Sequence, residues 1–239
     1  MIYETQLVSS EPVADGTMAF RFARPSIFDF KAGQNMLVTL IDPPEADGKG
    51  PSRTFTIASA PHEKDLMVAT RMRDSAFKKV LKSATPGQRV KIDGPDGFMT
   101  LHEDPERPAV FLAGGIGITP FLSMARDAAA RQLPHRIVLF YSNRRPEDSA
   151  FLPELERLAQ ANKGFRLIPT MTEPEKSAQP WGGLKGFIDR DMLESHLPNL
   201  TAPIYYMAGP PAMTMSMLAM LTGCGVSTND IQSEEFFGY

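Results

Sequence analysis

The chain has 239 residues, 42% of them hydrophobic and 22% charged, with a formal net charge of −3; that is length enough for two small cores, and no basic surplus is left to track a nucleic-acid backbone. A lone cysteine, Cys224, excludes an intrachain disulfide and a four-thiolate iron–sulfur cluster within this chain. His62, His102, His135 and His196 show no metal-ligand spacing, no apolar run approaches the ~18 residues of a membrane span, and Met1-Ile2-Tyr3-Glu4-Thr5 lacks the basic and apolar regions of a signal peptide, so a cytoplasmic location is expected.

From Met1 to about residue 100, short alternating runs recur at Thr17–Phe22, Asn35–Leu40, Leu66–Thr70 and Arg89–Ile92. Turn signals such as Ala32-Gly33, Asp42-Pro43-Pro44, Pro86-Gly87 and Gly94-Pro95-Asp96-Gly97 separate them. Period-two alternation at this spacing predicts a small antiparallel β-barrel, interrupted by one helix from about Ser75 to Ser83. Beyond Pro105 the pattern changes. Strands are expected at Ala109–Ala113, Arg136–Tyr141, Phe165–Pro169 and Pro203–Ala208, with helices near 120–132, 151–161, 189–196 and 211–223. Strand–helix alternation predicts an α/β unit with a parallel sheet covered on both faces. The expected fold class is thus all-β plus α/β, as domains 1–103 and 104–239, with the joint in the charged, proline-bearing stretch Glu103–Pro108.

Four segments carry candidate chemistry. In Arg53-Thr54-Phe55-Thr56-Ile57-Ala58-Ser59, strand alternation puts Arg53, Phe55 and Ile57 on one side and Thr54 and Thr56 on the other. An arginine fork suits a phosphate and an aromatic suits a flat ring, although the tetrapeptide alone also fits any edge strand. Arg71-Met72-Arg73-Asp74-Ser75-Ala76-Phe77 leads from a strand into a helix, with Asp74 or Ser75 as N-cap and backbone amides available to an anion. Gly114-Gly115-Ile116-Gly117-Ile118-Thr119-Pro120 follows an apolar strand and opens a helix. Its glycines let the backbone approach a phosphate, Thr119 is placed to cap the helix, and Pro120 fits the first turn. Ser142-Asn143-Arg144-Arg145 ends the next strand without an acidic residue, which leans toward a 2′-phosphate and hence NADPH over NADH. Met213, Met217 and Met220 recur at helical spacing as an inward face.

Arg53-Thr54-Phe55-Thr56-Ile57-Ala58-Ser59 resembles the Arg-x-Tyr/Phe-Ser/Thr-x-x-Ser flavin motif of the ferredoxin–NADP reductase superfamily. Gly-x-Gly-x-x-Pro after a strand, and Gly209-Pro210-Pro211-Ala212-Met213, resemble its nicotinamide motifs, with Ala208 where relatives carry cysteine. The resemblance covers essentially the whole chain. It implies a flavin-binding barrel followed by a nicotinamide-binding α/β domain. Arg53 would meet the flavin phosphates, Phe55 would pack on the ribityl and ring region, and Thr56 would hydrogen-bond near flavin N5. Further flavin contacts fall on Thr54, Thr70, Met72, Ser75, Ala76 and Phe77, though the family's usual glycine is missing from that second segment. Nicotinamide-side contacts fall on Gly115, Gly117, Ile118, Thr119, Asn143, Arg144, Arg145, Gly209, Pro210 and Met213. A C-terminal aromatic, Phe237 or Tyr239, would cover the flavin, and Glu235 resembles a carboxylate near the active site; Thr56, Glu235 and Tyr239 are the expected catalytic set.

The helix N-terminus, suited to a pyrophosphate, favours FAD over FMN. The expected activity is hydride transfer from NADPH or NADH to bound FAD, with electrons then passing to a separate acceptor such as ferredoxin or flavodoxin. A free-flavin reductase and a non-catalytic flavin-bearing subunit are the alternatives. Neither nucleic acid nor membrane insertion is expected.

Overall fold

The computed structural model describes residues 1–45 and 47–236. Six strands form the first sheet: β1 (Ile2–Ala14), β2 (Thr17–Ala23), β3 (Asn35–Leu40), β4 (Ser52–Thr56), β5 (Asp65–Arg71) and β6 (Arg89–Asp96). All pairings are antiparallel, in the order β4-β3-β6-β1-β2-β5. The two ends of that order meet where Ala58 N–H donates to the Met67 carbonyl at 2.7 Å, just past β4 and within β5, which curls the sheet into the expected barrel. Inward positions alternate as period two demands: Phe20 and Phe22, Met36 and Val38, and Leu66 and Val68 are all fully buried in one core. Helix α1 (Ala76–Ser83) adds Phe77, Val80 and Leu81 to it.

The second sheet contains β7 (Ala109–Gly114), β8 (Ile137–Asn143), β9 (Phe165–Met171), β10 (Leu184–Lys185), β11 (Ile204–Gly209) and β12 (Ile231–Glu235). All pairings are parallel, in the order β10-β9-β8-β7-β11-β12. Helices α2 (Ile118–Ala130), α3 (Leu152–Ala161), α4 (Arg190–His196) and α5 (Pro211–Gly223) complete it. The chain winds outward from β7 through β8 and β9, then returns to β11 on the other side. The strand order therefore reverses between β7 and β11, and the crevice at their carboxyl ends is the natural ligand site of such a sheet. Strands β10 and β12 have no counterpart in the apolar runs of the sequence: both lie at edges, and β12, Ile-Gln-Ser-Glu-Glu, has no fully buried residue.

The two sheets share one core. Ala19, Ala58, Met67 and Ala69 of the barrel belong to the same buried cluster as Phe111, Phe121 and Met124 of the α/β unit. Helix α2 carries the contact. Phe121 stacks on Phe111 of β7 at 4.7 Å, while Ser123 Oγ donates to the Ser59 carbonyl at 2.7 Å. One turn on, Arg126 donates to the Ala58 carbonyl and pairs with Glu63 (3.1 Å) and Glu154 (2.6 Å). A buried apolar seam with satisfied polar groups holds the domains at one angle.

The connecting segment is tied at His102. Tyr206 Oη accepts from the His102 backbone N–H and donates to His102 Nδ1, each at 2.9 Å, and His102 Nε2–H donates to the Arg107 carbonyl. Burial pushes the Tyr206 phenol up to about 12, so it stays a donor. His102 is held neutral: burial lowers its pKa, outweighing its bond to Arg107. A histidine depressed in the fold contributes stability above its unfolded pKa, lost as pH falls through the folded value. Thermal unfolding should therefore drop by a few degrees as pH falls from about 7 to about 5. The loss should be smaller in His102→Gln; scanning calorimetry of the two proteins across that range measures it.

Candidate functional site

Two grooves open on the same side of the domain junction. The smaller, of about 280 Å³, runs along β4, the end of β5 and the start of α1. Five cations reach it: Lys49, Arg53, Arg71, Arg73 and Lys78. Arg53 sits at the barrel rim with its guanidinium carbon 5.2 Å from the Phe77 ring centroid. Its Nη1 donates to the carbonyls of Lys49, Gly50 and Ser52, and its Nη2 meets the Asp47 carboxylate at 3.3 Å. Burial lowers the pKa of the Lys78 ammonium, and Arg73 and Arg53 beside it lower it further. Ser75 caps α1, its Oγ accepting from Lys78 N–H at 3.3 Å.

The remaining residues of this segment divide between groove and core. Thr54, Thr56 and Thr70 line the groove. Thr56 is 3% exposed, and its Oγ1 has no hydrogen-bond partner among the described residues. A buried hydroxyl left unpaired is costly and rare, which makes this atom a candidate contact for a ligand of the groove. Phe55 also lines the groove, and its ring packs on Phe77 at 5.8 Å within the barrel core. Phe77 and Met72 also pack on that core, because β5 and α1 turn their apolar sides inward. Ala76 occupies the first turn of α1.

The larger groove, of about 740 Å³, lies at the switch point over Gly114, Gly115, Asn143, Arg144, Pro210 and Met213, with Arg71 and Arg73 entering from the barrel. Glycine is required at position 117 and favoured at its neighbours. A Cβ on Gly117 would stand 2.1 Å from the Ala208 carbonyl oxygen, one on Gly114 would stand 2.3 Å from Met213 Sδ, and Gly115 has φ +54°. Gly209 lies within the same close approach, beside Gly114 and Met213. Thr119 is not the cap expected of it. A 3₁₀ turn over Gly115–Gly117 precedes α2, Gly117 is its N-cap, and Thr119 lies within the first turn, buried like Ile118, with its hydroxyl donating to the Ile116 carbonyl.

At the end of β8, Asn143 is 5% exposed with its Nδ2 unpartnered, and Arg144 lines the groove with no ion pair among the described residues. Arg145 departs from the expectation of a cofactor contact. Its guanidinium is taken up by Asp148 (2.9 Å), which itself borders the groove, and by Asp15 (3.1 Å) in the β1–β2 turn. On α5, Met217 is buried and Met213 and Met220 are partly buried, as the helical spacing implied.

The carboxylate at the junction is Glu234, not the expected Glu235. Along β12, Glu235 is exposed and meets Thr214 at 3.4 Å, while Glu234 points to the barrel, within 3.5 Å of Asn35 Nδ2. Asn35 pairs in register with Thr56, so Glu234, Asn35 and Thr56 follow one another across the junction. Phe237 and Tyr239 lie outside the described residues. Besides Glu234, the sequence pattern passed over Arg71, Arg73, Lys49, Lys78 and the exposed Phe187 at the larger groove's rim. The arginine pair before α1 was the available signal for the first two.

The family model of the oxidoreductase NAD-binding domain matches residues 111–218. Over 223 residues, 92% of the chain, the protein is 27% identical to a glycine betaine monooxygenase reductase subunit of Chromohalobacter salexigens, and spans 60% of that relative. Over 81% of the chain it is 31% identical to a subunit of the Na(+)-translocating NADH-quinone reductase of Methylococcus capsulatus, of which it spans 51%. A ferredoxin NADP+ reductase from Neisseria gonorrhoeae with bound FAD and NADP superposes with a TM-score of 0.80 at 23% identity, covering 99% of each chain. The FAD/NAD binding domain of a Vibrio cholerae nitric oxide dioxygenase superposes at 0.83, with 20% identity over 98% of each chain. Barrel, parallel sheet and the crevice between them define the two-domain reductase fold. Over residues 111–218 the chain carries an oxidoreductase NAD-binding domain, and its fold is that of the ferredoxin NADP+ reductase structure above. Among the described residues, no cluster of His, Cys, Asp or Glu could hold a metal, and no helix is long and apolar enough to cross a membrane.

Burial raises the Glu234 carboxyl pKa, only partly countered by Asn35. A carboxyl raised in the fold contributes stability at low pH that is lost as pH rises through its folded value. Glu234→Gln removes that loss. The variant's melting temperature relative to wild type should thus increase from about pH 5 to about pH 8, and a flat difference would contradict the buried placement of Glu234.

Proposed function

We propose that the chain is a flavin-dependent NAD(P)H oxidoreductase, with FAD in the barrel groove and a nicotinamide dinucleotide in the switch-point groove. The observation that carries this reading is the meeting of the two grooves at Arg71 and Arg73, with an unpartnered threonine hydroxyl in the barrel groove. Bound FAD supplies uptake of a hydride and stepwise release of electrons. The residues supply the rest. Arg53, Arg73 and Lys78 would hold the FAD phosphates beside the N-terminus of α1, and Thr56 Oγ1 would supply a hydrogen bond to its ring. Asn143, Arg144 and the Gly115–Gly117 turn hold the dinucleotide. Glu234 keeps a proton store at the junction. Ala208 leaves the family's usual thiol position without a nucleophile, so hydride transfer here depends on placement.

The acceptor is a separate electron-transfer protein, ferredoxin or flavodoxin, or an oxygenase component as the names of the relatives suggest. Free-flavin reduction is the second reading. It is favoured by Asp47 and the loop carbonyls, which already engage Arg53 and compete with phosphate for it.

With Arg145 committed elsewhere and Arg73 assigned to the flavin phosphates, Arg144 is the arginine left for a 2′-phosphate. Arg144→Ala should narrow the NADPH-over-NADH preference about tenfold in kcat/KM, the scale of one charge-assisted contact. Arg53→Ala should weaken FAD binding by at least about tenfold without unfolding the α/β domain. Flavin fluorescence quenching on titration reads this directly, and full flavin occupancy in the variant would remove Arg53 from its role. The reading as a whole is tested by the absorbance spectrum of the purified protein and its anaerobic bleaching by NADPH, then NADH. A protein that stays colourless after FAD is added would overturn it.

A further inference from the structure

Asp148 is a buried carboxylate that the proposed chemistry does not use. Its side chain is 4% exposed, and it is gripped from both domains. From the barrel, Arg71 Nη2 reaches Oδ1 at 3.1 Å; from the α/β domain, Arg145 reaches Oδ2 through Nε at 2.9 Å and Oδ1 through Nη2 at 3.0 Å. The grip continues outward. Arg145 also pairs with Asp15 in the β1–β2 turn, and the Asp15 N–H donates to the Glu147 carbonyl at 2.8 Å. Burial alone would raise the Asp148 carboxyl, yet Arg145 and then Arg71 hold it below the usual carboxylate range. The carboxylate is therefore charged and fully engaged.

The place matters more than the pair. Arg71 and Asp148 both border the larger groove, and Arg71 borders the smaller one as well. Two residues after Arg71 comes Arg73, which makes no ion pair among the described residues and faces both grooves. Four residues before Asp148 comes Arg144, facing the larger groove. One carboxylate thus fixes the two short segments whose next arginines face the ligands. Resting on the two-groove reading above, we propose that Asp148 is a positioning residue: it pins the end of β5 to the loop after β8 and so sets the approach of the nicotinamide ring to the flavin.

A merely structural ion pair would change stability and leave approach geometry alone. In a Cys224→Ser background, spin labels at Lys82→Cys on α1 and Glu156→Cys on α3 report the distance between domains without turnover. Asp148→Asn should broaden that distance distribution. In the FAD-loaded protein it should leave flavin content and NADP+ affinity within about threefold of wild type, while slowing flavin reduction at saturating NADPH by at least about tenfold, since small misplacements of reacting atoms are that expensive. Asp148→Glu, which keeps the charge, should recover part of the rate. An unchanged distribution with an unchanged rate would overturn the proposal, and so would equal losses in the Asn and Glu variants accompanied by lost flavin. Should Asp148→Asn not fold, Arg145→Gln loosens the same grip from the α/β side and is read identically. A wild-type protein that takes up no flavin would sink the functional reading, and the distance measurement would still decide the pin.

Discussion

The passage of the first α/β turn beneath β11 constrains most of the molecule. Gly117 lies so close to the Ala208 carbonyl that any side chain there would force the turn outward. That approach fixes where α2 begins. Since α2 is a continuous helix of 13 residues, it also fixes where Ser123 and Arg126 meet the barrel at Ser59 and Ala58. Ala58 is also the residue whose N–H closes the barrel against Met67. One close contact in the nucleotide crevice is thereby linked, through a rigid helix, to the closure of the other domain and the alignment of the two grooves. Interiors packed to crystal-like density transmit such displacements instead of absorbing them.

Much of this architecture is legible in the sequence because it follows from local periodicity. The barrel runs, the alternating strands and helices, the Ser75 cap and the glycine-rich turn are written within a few residues of where they act. What could not be read depends on partners far along the chain. Arg144 and Arg145 are equivalent as neighbours in a loop; only Asp15, some 130 residues earlier, and the buried Asp148 decide that Arg145 is taken up by carboxylates. Glu234 and Glu235 differ by the face of a strand that its composition does not announce, and parallel pairing with Ala208 and Gly209 sets that face. Thr119 followed by Pro120 looks like a cap and a first helical position. The 3₁₀ turn before it starts the helix two residues sooner, at Ile118, and carries both into the first turn.

Charge gives the barrel groove its character. Lys49, Arg53, Arg71, Arg73 and Lys78 gather around about 280 Å³. Asp148 neutralises Arg71 and Asp47 partly neutralises Arg53, while Asp74, exposed, is paired with Lys79 on the outside of α1. The surplus is borne by Lys49, Lys78 and Arg73, and after burial it is the repulsion from Arg73 and Arg53 that lowers the pKa of Lys78. A polyanion placed here removes repulsion the fold otherwise carries, in addition to making new contacts, so its binding and the stability of the barrel are linked. Asp47 works against this. Held charged chiefly by the Lys49 N–H and then by Arg53, its carboxylate stands where a phosphate would approach the same guanidinium. Affinity for the flavin is then set by the difference between two anions on one arginine: an external one with several charges, and an internal one already at hand.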